Sequence, residues 1–150
     1  MRLKLRKSRK NFLQKNSALP LCKNAAMLLE YISGAQKTEA VCLAAVQGVG
    51  RMLQYVPEAM KTEAVCLAAV QQNGQVLQYV PKAMKTETVC FAAVQQDGFA
   101  LEDVPENLKT AELCLAAVQG VGRMLRYVPD ALKTEAVCLA AVQRNTDALK

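Results

Sequence analysis

The chain has 150 residues, a formal net charge of +6 at pH 7 and no histidine. Histidine is the commonest general base, and no potential nucleophile is paired with a base along the sequence, so we expect no enzymatic activity and no cofactor. The longest apolar runs, such as residues 40–46, have only seven residues and are too short to span a membrane.

Residues 1–23 are predicted to form a basic arm or a degenerate cap. Residues 1–29 contain eight of the 19 basic residues and no acidic one, so the other 11 basic and all 13 acidic residues lie further along. A block of one charge sign is commonly a solvated tail, but it also neutralises phosphates without needing a fold. A solvated tail, organelle targeting, and binding of nucleic acid or an anionic membrane through the arm alone remain open alternatives. The candidate polyanion-binding residues are Arg2, Lys4, Arg6, Lys7, Arg9 and Lys10.

Residues 24–150 are predicted to form one helical repeat domain. The segment "KTEAVCLAAVQ" begins at Lys37 and returns with small changes every 24 residues, so that equivalent cysteines lie at Cys42, Cys66, Cys90, Cys114 and Cys138. A fixed period of roughly 20 to 50 residues is typical of stacked repeat proteins. The L-x-x-L-x-L skeleton of leucine-rich repeats is absent. We therefore predict an all-α fold, an α-solenoid of about five stacked 24-residue helix-turn-helix repeats.

The first half of each copy is predicted to be an α-helix, here called helix A. In the second copy it covers residues 62–72, with a threonine as N-cap, a glutamate in its first turn and an end before Asn73-Gly74. Residues 64–70 are apolar on every side. A helix of this kind is expected to be buried all round, between the neighbouring copies, with its paired alanines permitting close approach.

The second half of each copy is predicted to be an amphipathic, half-exposed helix B, because Val76, Leu77 and Val80 have helical spacing. Pro81 lacks a backbone donor and disfavours a helical conformation at the residue before it. Helix B should therefore end or kink near Val80, and the following "PKAM" should form a short turn. The motif "GVG" lacks the third glycine of a dinucleotide fingerprint and is interpreted as a flexible turn between the helices.

The unit "TEAVCLAAVQQNGQVLQYV", residues 62–80, resembles a family of short paired-helix repeats that read approximately D-x-E-V-V-x-x-A-V-x-x-N-G-x-x-L-x-Y-A. The family is a domain of unknown function in bacterial and protist proteins. Departures from its pattern include Thr62 for the usual Asp, "GVG" in two copies, and Asp103 where a Tyr is expected. The resemblance implies a helical fold and brings no activity or catalytic residue. The matching positions are Val65, Ala69, Val70, Asn73, Gly74, Leu77 and Tyr79.

The five cysteines at one repeat position are predicted to be free, buried thiols. Helices packed face to face lie about 8 to 10 Å apart, beyond the roughly 7 Å between α-carbons that a disulfide tolerates. A zinc site is not expected, because no C-x-x-C pair or histidine is present. Free thiols point to a reducing, cytoplasmic compartment, with an effector delivered to a host cytosol or an organelle-targeted form as open alternatives. Cys22 lies outside this set and has no assigned place.

The leading functional hypothesis is a non-enzymatic protein–protein interaction scaffold, a monomer with an unknown protein partner. Stacked helix pairs present a long regular surface whose exposed positions can vary without disturbing the core. The copies differ most at the turn between the helices and in helix B. The alternative is polyanion binding through the basic arm. The candidate partner-surface residues are Arg51, Gln75, Tyr79, Phe99, Glu102, Asp103, Arg123 and Arg126.

Overall fold

The regular elements of the computed structural model, which describes residues 29–144, are all helical. The predicted polyanion-binding arm and Cys22 lie outside the described residues, so the predictions for them stand as made. The predicted all-α solenoid is confirmed. Within residues 29–144 the five α-helices are α1 (Glu39–Gly48), α2 (Glu63–Gln72), α3 (Glu87–Gln96), α4 (Ala111–Gly120) and α5 (Glu135–Arg144).

Each α-helix begins after a threonine, as predicted for helix A. The Thr62 hydroxyl accepts a hydrogen bond from the backbone N–H of Val65 at 3.4 Å, which satisfies one of the free donors of the first turn. The helix then ends at Gln72, and Asn73 takes an extended conformation with φ −154°. The predicted bounds of helix A are therefore confirmed in this copy. Equivalent caps are made by Thr38, Thr86, Thr110 and Thr134.

Helix B lies where it was predicted, but it is a six-residue 3₁₀ helix followed by a separate three-residue 3₁₀ turn. The expected end near Val80 is confirmed, since this residue has the extended values φ −76° and ψ 128°. The six-residue 3₁₀ helices are Gly50–Tyr55, Gly74–Tyr79, Gly98–Asp103 and Gly122–Tyr127. The short ones are Gly34–Gln36, Glu58–Met60, Lys82–Met84, Glu106–Leu108 and Asp130–Leu132.

The 3₁₀ form follows from the few residues between the Asn73 cap and Pro81. A bond from residue i to i+3 closes one residue earlier than the α-helical bond, so a very short helix gains more bonds in the 3₁₀ form. The backbone N–H of Val76 donates to the Asn73 carbonyl at 3.2 Å, and that of Val80 donates to the Leu77 carbonyl at 3.1 Å. These two bonds close both ends of the helix.

The elements form two layers, one of α-helices and one of 3₁₀ helices. Each interior α-helix packs on the α-helices of the copies before and after it, on its own six-residue 3₁₀ helix and on that of the preceding copy. The 3₁₀ helices also pack on one another along the stack. The core lies between the layers, and in the second copy it consists of Val65, Cys66, Ala69, Val70, Val76, Leu77 and Val80.

The prediction that helix A is buried all round is wrong for its outward side. In α2, Ala64 is exposed, and Leu67 and Ala68 are half-buried. Neighbouring helices cover the two flanks and the inner side, which leaves the fourth side facing solvent. In α2 that side carries two alanines and a leucine, and because these residues are as apolar as those of the core, composition did not distinguish the two sides.

The described cysteines are free thiols, and those of the first four copies are buried as predicted. Burial in apolar surroundings disfavours the thiolate and raises the pKa of the Cys66 thiol to about 11. It also raises the pKa of the Cys42, Cys90 and Cys114 thiols. Cys138, in the last described helix, is only half-buried.

We expect a thiol reagent to label Cys138 in the native protein well before Cys66. At about pH 8, a pKa of about 11 leaves the Cys66 thiolate roughly a hundredfold scarcer than an ordinary thiolate, and burial blocks the reagent. Labelling of Cys66 should keep rising with pH until about 11. Mass spectrometry of the labelled peptides measures each site, with denatured protein as the control. Equal rates at both cysteines would contradict the buried position.

Candidate interaction surface

Glycines set the distance between the 3₁₀ layer and the next α-helix. A Cβ atom placed on Gly50 would lie 2.6 Å from the Ala69 carbonyl oxygen, and one on Gly98 would lie 2.6 Å from that of Ala117. Gly74 stands in the same relation to the Ala93 carbonyl oxygen. No described glycine has a positive φ. These glycines are required for close approach, and not for the turn flexibility that "GVG" suggested.

At the C-terminal end of each six-residue 3₁₀ helix, a lysine donates a hydrogen bond to the last carbonyl oxygen. Lys61, which begins the second copy, is only 7% exposed. Its ammonium group donates to the carbonyl oxygen of Tyr79, the last residue of the 3₁₀ helix, at 3.1 Å and to Glu58 at 2.7 Å. The last carbonyls of a helix have no partner within the helix and attract a cation. Lys109 repeats the arrangement with Tyr127 and Glu106.

The equivalent lysine of the third copy, Lys85, has different charged neighbours. Lys85 donates to the Asp103 carbonyl oxygen at 2.9 Å, but Lys82 lies three residues before it, where Glu58 precedes Lys61 and Glu106 precedes Lys109. The Asp103 carboxylate lies near enough to Lys85 to interact with its charge, although the two do not form an ion pair within 4.0 Å. Burial raises the pKa of Asp103 from its usual value, while the Lys85 charge opposes this shift. The departure of Asp103 from the family pattern thus accompanies the change at Lys82.

Polar bonds also cross the junctions between copies. The Thr62 hydroxyl donates to the Glu39 carboxylate of the preceding copy at 2.8 Å, and the Thr86 hydroxyl donates to Glu63 at 3.0 Å. Each of these hydroxyls therefore serves its own helix as a cap and holds the neighbouring helix as well. In the fourth copy Ala111 takes the place of the glutamate.

The exposed side chains of the 3₁₀ helices form a surface that we call the variable ridge. Each helix shows solvent its second and fifth residues, which lie on one side because a 3₁₀ helix has about three residues per turn. These positions differ between copies and their side chains lie outside the core. The ridge consists of Arg51, Gln54, Gln75, Gln78, Phe99, Glu102, Arg123 and Arg126.

Six of the eight predicted partner-surface residues lie on the ridge, and the other two lie beside it. Tyr79 and Asp103 are half-buried at the ends of their 3₁₀ helices, next to the lysines that bind their carbonyl oxygens. Tyr79 packs partly against the core. The predicted residues that lie exposed on the ridge are Arg51, Gln75, Phe99, Glu102, Arg123 and Arg126.

Two contacts organise the middle of the ridge. The Arg123 guanidinium lies over the Phe99 ring, 5.9 Å from its centre, a cation–π geometry that joins the third and fourth copies. The Gln75 amide donates to the Asp97 carboxylate at 2.9 Å, while another oxygen of Asp97 accepts from the Phe99 backbone N–H. Asp97 therefore fixes both the start of its own helix and a neighbouring ridge residue.

Sequence reasoning missed the structural lysines, the close-contact glycines and Asp97. The lysines carried a signal, since every copy from Lys37 to Lys133 has one at the same place. A charged residue kept at each copy, while exposed neighbours change, indicates a bond that each copy requires. The glycines carried the same signal at Gly50, Gly74, Gly98 and Gly122.

The ridge offers guanidinium, amide, carboxylate and aromatic groups in a row, which suits hydrogen bonding and stacking with a bound surface. In the part of the chain that the structure describes, no group of His, Cys, Asp or Glu side chains could hold a metal ion. Over the same residues, no helix is long and apolar enough to cross a membrane.

The two-layer stack and its ridge define the class of protein: an α-solenoid built from short tandem helical repeats. The model of one protein family, described as Domain of unknown function (DUF4116), matches residues 39–85, 63–109 and 86–133. The chain belongs to this family. No match to the chain was found among curated proteins or among solved structures. The family of paired-helix repeats that residues 62–80 resemble is therefore confirmed.

Proposed function

We propose that the protein is a non-enzymatic scaffold that binds a protein partner through the variable ridge. The observation that carries this proposal is where the copies differ in sequence. Most core positions hold the same residue in every copy, although the third residue of the six-residue 3₁₀ helix varies between Met, Val and Ala. The exposed second residue of that helix changes chemical class as well, since it is Arg, Gln, Phe and Arg in successive copies. A row of differing side chains on a constant frame gives each position along the stack its own contact.

The chemical composition of the ridge supports this proposal. Arginine and aromatic residues are enriched at the energetic centres of protein interfaces, and the ridge holds Arg51, Arg123, Arg126 and Phe99. The outward side of the α-helices instead repeats the same glutamine in every copy, from Gln47 to Gln143. A uniform row distinguishes partners less well than a varied one. We further propose a reducing compartment, where buried free thiols persist.

Affinity capture with ridge variants tests this function. Full-length protein carrying Arg51→Ala, Phe99→Ala, Arg123→Ala and Arg126→Ala is expected to lose the proteins that wild type retains, because these side chains make the proposed contact. Capture from the cells of origin, followed by quantitative mass spectrometry, measures the loss.

The matched control replaces exposed glutamines of the α-helical face. It carries Gln47→Ala, Gln71→Ala, Gln95→Ala and Gln119→Ala. This variant is expected to keep the same bound proteins, and thermal unfolding should show that both variants remain folded. Proteins retained by the ridge variant, or lost equally from the control, would overturn the proposed function.

A further inference from the structure

The cations of the described residues fall into two groups with different roles. The lysine that begins each copy is bonded within the chain. Lys37, Lys61, Lys85 and Lys109 donate to the carbonyl oxygen that ends their own 3₁₀ helix, and Lys133 donates to Asp130. By contrast, three of the four arginines lie on the variable ridge and point to solvent. The fold therefore uses these lysines for its own bonds and leaves the ridge arginines on the surface. Lys82 and Arg144 belong to neither group, since Lys82 is exposed and Arg144 donates to the Gly120 carbonyl oxygen.

Two of these arginines stand together on one 3₁₀ helix. Arg123 and Arg126 are three residues apart, so they lie on the same side of the helix Gly122–Tyr127, and both are exposed. Neither guanidinium forms an ion pair with a carboxylate of residues 29–144. The nearest ridge carboxylate belongs to Glu102, at the equivalent position of the preceding copy, and gives the charged patch a negative edge.

Phe99 borders the same patch from the preceding copy. Its side chain is 40% exposed, in a position that holds a polar side chain in the other copies. The guanidinium of Arg123 lies over its ring. This contact restrains the arginine, so less conformational entropy is lost when an anion binds to it. The uncovered part of the ring remains available to an apolar side chain.

We propose that Phe99, Arg123 and Arg126 form a recognition site for an acidic peptide segment of the protein partner. The guanidinium groups bind its carboxylates through charge-assisted hydrogen bonds, and an adjacent apolar side chain packs on the Phe99 ring. Glu102 repels a carboxylate placed over it, so the acidic residues of the segment bind over the fourth copy, where both arginines stand. This site rests on the proposed function, because it gives the chemistry of one part of the ridge contact.

The test uses a fluorescently labelled peptide of Glu and Asp residues around one Leu, and measures its binding to the full-length protein by fluorescence anisotropy. The test variant carries Arg123→Gln and Arg126→Gln, which reproduces Gln75 and Gln78, the residues that the chain itself has at these positions in another copy. The fold therefore tolerates the change. Affinity is expected to fall roughly tenfold or more, and salt should weaken the wild-type binding.

The matched control removes two exposed cations elsewhere, with Lys82→Gln and Arg144→Gln, so its net charge equals that of the test variant. It is expected to bind the peptide as wild type does. An equal loss of affinity in both variants would show that net charge alone explains the effect. Unchanged binding in the test variant would place the peptide on the basic arm. Either result overturns the site. The proposed function would still be supported in that case if the ridge variant with four alanines fails to capture the proteins that wild type retains.

Discussion

An alanine at position 74 is expected to lower the free energy of unfolding by about 3 kcal/mol, the upper end of the usual cost of overpacking. The added methyl group would overlap the Ala93 carbonyl oxygen and press on Asp97. A backbone oxygen within an α-helix cannot rotate away, so the two copies must separate. The strain acts at the junction that supports the middle of the variable ridge.

The chain contains its own control for this substitution. A Cβ atom on Gly120 would lie 3.8 Å from the nearest atoms of Gly98, an ordinary contact. Gly120 is the last residue of α4, and the equivalent positions of α2 and α3 hold glutamine. Gly120→Ala should therefore be neutral or stabilise by up to about 1 kcal/mol, the helix preference for alanine.

Urea denaturation followed by circular dichroism compares the two variants with wild type. At constant slope, the difference in midpoint reports the change in stability, and the thermal midpoint of Gly74→Ala should fall by roughly 6 to 12 °C. A Gly74→Ala protein as stable as wild type would show that the copies are not held as closely as the structure has them.

Replacing Lys61 with methionine is expected to cost about 1 to 3 kcal/mol. Methionine keeps most of the buried aliphatic stem but removes the ammonium group that donates to the Tyr79 carbonyl oxygen and to Glu58. The carbonyl group then has no donor from this side chain, and an unsatisfied acceptor in a partly buried place retains its desolvation penalty. The ion pair adds little by itself, because its Glu58 partner is exposed to solvent.

Lys82→Met is the matched control, because Lys82 is exposed and begins one of the short 3₁₀ turns. Its substitution should change the stability by less than about 0.5 kcal/mol. Hydrogen exchange gives a second measurement: Lys61→Met should speed exchange in the 3₁₀ helix Gly74–Tyr79 more than elsewhere, because its C-terminal end loses a bond. Equal stability of the two variants would contradict the structural role of Lys61.

The α-helices could be predicted closely from the sequence because their signals are local. A threonine before an apolar run and an Asn-Gly pair after it fix both ends of α2 without reference to the rest of the fold. The constant period then implies stacking, since one such unit cannot bury its apolar face alone. The buried position of Cys66 followed from the same argument.

The remaining features depend on contacts that are distant in sequence. Whether Gly74 serves a turn or a close approach depends on the Ala93 carbonyl oxygen, 19 residues away. The role of Lys61 depends on a carbonyl oxygen 18 residues away. The 3₁₀ form of helix B reflects competition between two hydrogen-bonding patterns of similar energy, which spacing alone does not resolve. The ridge was predicted in outline, but the pairing of Phe99 with Arg123 required the stack.

Three long-range contacts that recur along the stack set the step by which such a chain can change in length. Lysine reaches a carbonyl oxygen 18 residues ahead, glycine meets one 19 residues ahead, and threonine reaches a glutamate 23 residues behind. Gain or loss of 24 residues brings the equivalent residue of another copy to each of these positions, and the partner group is the same except where Ala111 replaces the glutamate. Any other insertion within a copy separates at least one pair. The variable ridge can therefore lengthen or shorten by duplication and deletion of whole copies, with new junctions already compatible with their neighbours.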